Sequence, residues 1–222
     1  SIVIHVNFIV QMSAYIYDLI RQGEHEMLDF KHSITDSQKI ARSMVAFANT
    51  NGGKLLIGVR DNGSISGIQT DEEYYMVEAA AQIHSQPEVK FLSEIWNLKG
   101  KRVLEITIPK SLNKVYYAKD HMGKWKAYIR VNDQNLLANR ILLKVWRQRK
   151  RKRGTYIHYT PKEKLLLSYL SEHEQITFSQ FRKLARISPY KAERILVNLI
   201  VLNLVDIVIT EDQTYYTLKS SV

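Results

Sequence analysis

The chain has 222 residues, 45% hydrophobic and 24% charged, which suits one large globular domain or two modest ones. Its net charge is +10 and its pI about 9.6, a balance that fits an anionic partner such as nucleic acid. The absence of cysteine excludes a disulfide framework, a cysteine-ligated zinc finger and a thiol nucleophile, and fits a reducing cytoplasm.

The opening residues are apolar, but they lack a basic n-region and a small-residue cleavage site, and the run is too short to span a bilayer. Residues 1–13 therefore read as an N-terminal extension, and no later stretch is apolar enough for a membrane span. Ala14 to Arg21 has a helical pattern, and Leu28 to Lys31 alternates like a strand. Ser37 to Ala48 sets Ile40, Met44, Phe47 and Ala48 on one helical face, with Asp36 or Ser37 as N-cap. Gly52-Gly53 can end that helix. A buried-type strand over Lys54–Val59 follows, then a turn at Asp61-Asn62-Gly63 and a strand over Ser64–Ile68. A helix is expected over Asp71–His84, strands over Phe91–Leu98, Lys101–Ile108 and Trp125–Val131, and a closing helix from Asp133 to about Trp146. This pattern predicts an α+β domain with a mixed sheet over 14–146.

Charge then marks a boundary. Residues 1–154 carry 24 Lys+Arg against 15 Asp+Glu, and residues 155–222 carry 8 against 7. The run Arg147, Arg149, Lys150, Arg151, Lys152, Arg153 contributes six positive charges and ends at Gly154, so 147–154 reads as a basic linker. It can neutralise several phosphates without regard to sequence; a localisation signal or a plain linker is the alternative. Beyond it, helices are expected at Pro161–Leu170, Thr177–Leu184 and Pro189–Leu202, the last capped by Ser188. A hairpin, Leu204–Ile209 with Thr214–Leu218, completes the order of a winged helix-turn-helix over 155–222. On the third helix, Lys191, Arg194 and Asn198 share a face and are residue types that read base edges. Arg182, Lys183 and Arg186 flank the turn and can hold phosphates. Glu211-Asp212 make the wing tip acidic, which leaves dimerisation or partner binding open for this domain.

The second chemical cluster is acidic. Alternation puts Leu28 and Phe30 toward a core and Asp29 with Lys31 on the other side, while Glu24 and Glu26 lie just upstream and Asp61 follows the glycine-flanked strand. Oxygen ligands converging in this way can hold Mg²⁺ or Mn²⁺, with the lysine meeting a phosphate. A solvent-exposed Asp29–Lys31 pair is the plain alternative. The chain has no Walker pattern to support ATP binding, and Gly52, Gly53 and Gly58 read as turn geometry. The scattered histidines show no zinc spacing.

The segments Gly23-Glu24, Asp29-Phe30-Lys31, Phe47-Ala48-Asn49-Thr50-Asn51-Gly52-Gly53, Ile57-Gly58-Val59-Arg60-Asp61 and Tyr128-Ile129-Arg130-Val131 together resemble the AlbA-like nucleic-acid-binding domain of the Schlafen-type family. The resemblance covers roughly Ala14 to Trp146. It implies a nucleic-acid partner and, in nuclease-active relatives, a cleavage and metal site that carries over to Glu24, Asp29 and Asp61, with Lys31 near the scissile phosphate. Asp29 stands where glutamate is more usual, Arg60 where an acid is common and Asn132 where glycine is common, which favours binding over cleavage. The expectation is a cytoplasmic, homodimeric DNA-binding transcriptional regulator without a cofactor, with DNA favoured over RNA. A metal-dependent ribonuclease and a protein-interaction module are the alternatives.

Overall fold

The computed structural model describes residues 14–150 and 159–219. The chain divides into two compact units, Ser1–Leu137 and Ala138–Val222.

The first unit opens with helix α1 (residues 14–22) and strand β1 (Leu28–Lys31). Helix α2 (Ser37–Asn49) follows, then β2 (Gly53–Ile57), α3 (Glu72–Gln82) and the short β3 (Ser85–Gln86). Strands β4 (Leu92–Leu98), β5 (Lys101–Ile108), β6 (Tyr117–Lys119), β7 (Trp125–Lys126), β8 (Tyr128–Val131) and β9 (Gln134–Leu137) complete it. The main sheet has the order β1-β2-β5-β4, with β1 parallel to β2 and the other pairs antiparallel. The period-two alternation sends Leu55, Ile57, Leu104 and Ile106 to one face, against Met44, Phe47, Val77 and Ala80 of α2 and α3. Leu28, Phe30, Leu56 and Val103 go to the other face, with Ile16 of α1 and Trp96. Full burial of each such Leu, Ile or Phe is worth about 1.5–3 kcal/mol.

Asp36 is the N-cap of α2: its carboxylate accepts the Gln38 and Lys39 amides, a contribution of about 1 kcal/mol. At the other end Gly52 donates to the Phe47 carbonyl at 2.8 Å with φ +75°. A Cβ at Gly52 would lie 2.8 Å from the Ile108 carbonyl oxygen, and one at Gly53 would lie 2.4 Å from the Phe47 ring. The glycine pair therefore ends the helix and lets β2 pack beneath it.

Three expected elements differ. Ser64–Ile68 forms only isolated bridges, Val59 to Ile65 and Ile68 to Arg102, because Gly58 and Gly67 both take positive φ and kink the ribbon. Trp125–Val131 breaks at buried Ala127 into β7 and β8, which join different sheets. The helix expected from Asp133 is replaced at its start by β9, which pairs back on β8 through a two-residue turn at Asn132-Asp133. Asn132 takes φ +53°, a conformation that asparagine tolerates better than most residues.

Helix α4 (Arg140–Arg149) begins at an Asn139 cap and belongs to the second unit, so the division falls at Leu137/Ala138, ahead of the basic run. The physical reason is burial: Ile141 and Val145 join the core of Leu166, Phe181, Leu196 and Tyr216. The unit continues with α5 (Pro161–Glu172), β10 (Ile176–Thr177), α6 (Phe178–Ala185), α7 (Pro189–Val201), β11 (Val205–Ile209) and β12 (Thr214–Leu218). Thr160 with Glu163 and Thr177 with Gln180 form capping boxes, and Ser188 caps α7. The three-stranded sheet β10-β12-β11 and the helix order are compatible with a winged helix. Among the described residues no helix is long and apolar enough to cross a membrane.

Candidate nucleic-acid interface

In the first unit the motif Phe47–Thr50 works as a clamp. Asn49 donates to the carbonyls of Tyr116 and Tyr128, both at 2.9 Å, and accepts the Tyr116 amide. The Thr50 hydroxyl accepts the Arg130 amide at 2.8 Å. Arg130 is thereby fixed with its guanidinium 5.0 Å from the Phe47 ring centre. Its side chain is 1% exposed and lies 3.3 Å from Asp29 Oδ1, while Nη1 donates to Asn135 Oδ1. Asn135 in turn donates to the Ser43 hydroxyl. Lys31 Nζ sits 2.8 Å from the other Asp29 oxygen. Asp29 is therefore a buried carboxylate between two cations, not half of a solvent-exposed pair.

Above this group lies an open cleft of about 440 Å³ whose rim adds exposed Lys39, half-buried Arg42 and exposed Asp133. Its lining carries Lys31, Lys39, Arg42 and Arg130 against Asp29 and Asp133, a net positive surface. The capped first turns of α2 present Lys39 and Arg42 at i, i+3 spacing. Among the described residues Arg130 Nε has no hydrogen-bond partner, and Nη2 has only its ion pair with Asp29. Sequence reasoning missed Arg130, Lys39 and Arg42 as site residues. The available signal was an arginine inside the otherwise apolar strand Tyr128–Val131.

The acids divide. Glu24 Oε1 accepts the Phe30 amide at 2.9 Å, and the side chain meets Asp29. Desolvation, then the hydrogen bond with Asp29, hold the Glu24 carboxyl above the usual range. Asp61 is exposed, in the turn before Gly63. Among the described residues no three His, Asp or Glu side chains converge as a metal ion needs, so the trio Glu24, Asp29 and Asp61 does not form the expected cation site. The reason is that Asp29 already faces Arg130 and Lys31, and Asp61 leaves the sheet with its turn.

In the second unit Ile195, Leu196, Leu199 and Ile200 of α7 are buried, as the pattern requires. The expected reading face is divided. Arg194 is exposed and Lys191 half-buried, but Asn198 accepts a hydrogen bond from Gln148 of α4 at 3.0 Å. Arg149 is engaged as well, donating to the Ile200 carbonyl and to Asn203, both at 3.1 Å. Arg147 and Lys150 are exposed at the end of α4, and Arg151, Lys152 and Arg153 lie outside the described residues. Arg182 lies over the Phe178 ring, Lys183 is exposed, and Arg186 is the left-handed cap of α6 with φ +49°.

Comparison with known proteins agrees with the first unit's motifs. A search of curated proteins found no match. Among solved structures, the DIP2311 protein from Corynebacterium diphtheriae is similar at 18% identity and TM-score 0.43, with 67% of this chain and 34% of that chain covered. This chain thus spans about a third of that protein. The N-terminal domain of an ATP-dependent DNA helicase RecG-related protein from Nitrosomonas europaea is similar at 17% identity and TM-score 0.41, with 65% and 96% covered. Residues 142–217 match the model of the PCI domain. Residues 24–139, more than half of the chain, match the model of the Schlafen, AlbA_2 family. The chain belongs to that Schlafen, AlbA_2 family, which points to nucleic-acid binding.

Proposed function

We propose that this protein is a cytoplasmic DNA-binding regulator of transcription, homodimeric, that holds its nucleic acid mainly through phosphates and does not cleave it. The observation that carries the reading is the cationic cleft over Arg130, where Lys31, Lys39 and Arg42 surround a carboxylate that is already neutralised. A surface of this kind takes up phosphate charge without reading bases. The winged-helix-compatible order of the second unit supports DNA as the partner, and helix-turn-helix readers commonly pair on two half-sites.

The test is fluorescence anisotropy of labelled duplex DNA with the full chain, across a salt series in EDTA. Tight binding that weakens steeply with salt is expected, and Lys39→Gln with Arg42→Gln should flatten the log–log slope by about 2. Absence of binding at low salt would overturn the reading. So would divalent-dependent cleavage of DNA or RNA that is lost in both Asp29→Ala and Asp61→Ala.

A further inference from the structure

Helix α4 lies alongside α7 in parallel. Arg140, at 3.1 Å, and Lys144 both pair with Glu193, Gln148 donates to Asn198, and Arg149 reaches Ile200 and Asn203. From Glu193 onward the flank of α7 is therefore occupied. Asn198 is therefore engaged by Gln148 and is not free to read a base edge while that contact stands.

What the pair offers instead is a groove of about 350 Å³ along its seam. Lys144 and Arg147 line it from α4, and Tyr190, Arg194 and Asn198 from α7. Tyr190 and Arg194 share a face at i, i+4, and Tyr190 is 69% exposed in the first turn of α7. Glu193 is neutralised by its two partners, so the groove is net positive. Arg147 and Arg194 are exposed and have no ion-pair partner among the described residues. An open aromatic face with two exposed guanidinium groups along the same groove is a combination that holds unpaired nucleotides: the ring stacks a base and the cations follow the backbone.

We propose that the groove between α4 and α7 is a single-strand nucleic-acid site, with a base stacked on Tyr190 and the adjoining phosphates on Arg147 and Arg194. This rests on the nucleic-acid reading above and adds a single-strand site to the second unit beside the duplex binding proposed for the chain. Asn198, with its amide turned to Gln148, supports the groove wall and does not read a base pair.

The experiment uses the full chain in EDTA with labelled oligo-dT and oligo-rU of about 12 nucleotides, and a mixed-sequence duplex of the same length. Tyr190→Ala should weaken homopolymer binding roughly tenfold, Tyr190→Phe should bind like the parent, and neither should move duplex affinity. Arg147→Gln with Arg194→Gln should lower the homopolymer salt slope by about 1.4, two phosphates on a single strand. Both tyrosine variants are on the surface, and circular dichroism checks that they fold. Homopolymer binding that Tyr190→Ala leaves unchanged overturns the site, as does an equal loss on duplex. Binding of polyglutamate in place of either homopolymer assigns the groove to an acidic peptide and also overturns it. Duplex binding without homopolymer binding sinks this inference alone, whereas loss of all nucleic-acid binding sinks the proposed function as well.

Discussion

Removing the Asp29 carboxylate tests the central geometry of the first unit. Arg130 is 1% exposed and has Asp29 as its anionic partner, so Asp29→Ala leaves a guanidinium buried and uncompensated. Loss of one partner of a buried pair costs about 3–5 kcal/mol. The lower part of that range applies here, because Asn135 and the face of Phe47 still hold the guanidinium and Lys31 is partly solvated. Arg130→Met should cost a similar amount by stranding Asp29, though Lys31 remains beside it. Removing both should cost clearly less than the two singles together, with a coupling of about 2 kcal/mol. The assay is urea unfolding followed by Trp96, with Trp125 and Trp146 changed to Phe so that the signal reports the first unit; Trp96 is buried and donates to Glu105 at 2.8 Å. Single effects that simply add would refute the buried pair as the centre of the cleft. Under the binding reading Asp29→Ala, where folded, binds DNA at least as tightly as the parent, since it removes a negative charge from the cleft.

Three further outcomes follow from individual contacts. Glu24 has a raised pKa, so the folded state holds its proton more tightly, and its contribution to stability falls as pH rises from the ordinary glutamate value through the raised one. Glu24→Gln keeps the acceptor for the Phe30 amide, so it should match the parent in acid and be the more stable protein at neutral pH in thermal melts. For Lys54, burial works against the charge, but hydrogen bonds with Glu105 and Tyr15 outweigh it and raise the pKa. The stability from that pair is present below the ordinary lysine value and lost as pH rises through the raised one, so Lys54→Met should show no such alkaline loss in pH-dependent unfolding. Gly52→Ala should destabilise the first unit by at least about 2 kcal/mol in urea, combining the left-handed backbone with a 2.8 Å approach to Ile108; a neutral result would show that the turn can relax.

The readable parts of the fold were those set by local chemistry. Asp36, Thr177 and Ser188 announce helix starts because a side-chain oxygen next to free amides is a short-range matter. β1 is legible from its alternation and β2 from its continuous apolar run, since the sheet is buried on both faces by different partners. The acidic cluster was legible only as composition. Spacing brought Glu24 and Asp29 together correctly, but the residue that decides their chemistry is Arg130, about a hundred positions away, and no local pattern shows that a strand arginine points at a strand aspartate. The motif Phe47–Gly53 stood out in the sequence as a family resemblance with glycines that read as turn geometry, and in the structure its side chains hold Arg130 in place. Its prominence and the cleft's charge are thus one fact seen at two levels.

The same distinction explains the second unit. The helix-turn-helix order is written in caps and periodicity, and it invites the inference that the third helix reads DNA. Whether a helix face is free depends on what packs beside it, and the amphipathic pattern of α4 says only that it packs somewhere. Ile141 and Val145 supply the apolar stripe, while Arg140, Lys144 and Gln148 supply partners matched to Glu193 and Asn198. Those polar matches favour one docking position, because Glu193 is 7% exposed and would be an unpaired buried charge without them. The start of the basic segment is therefore tied to α7 through Gln148 and Arg149. Exposed Arg147 and Arg194 line the seam between the two helices, where the proposed single-strand site lies, while Lys183 and Arg186 are exposed elsewhere on the unit.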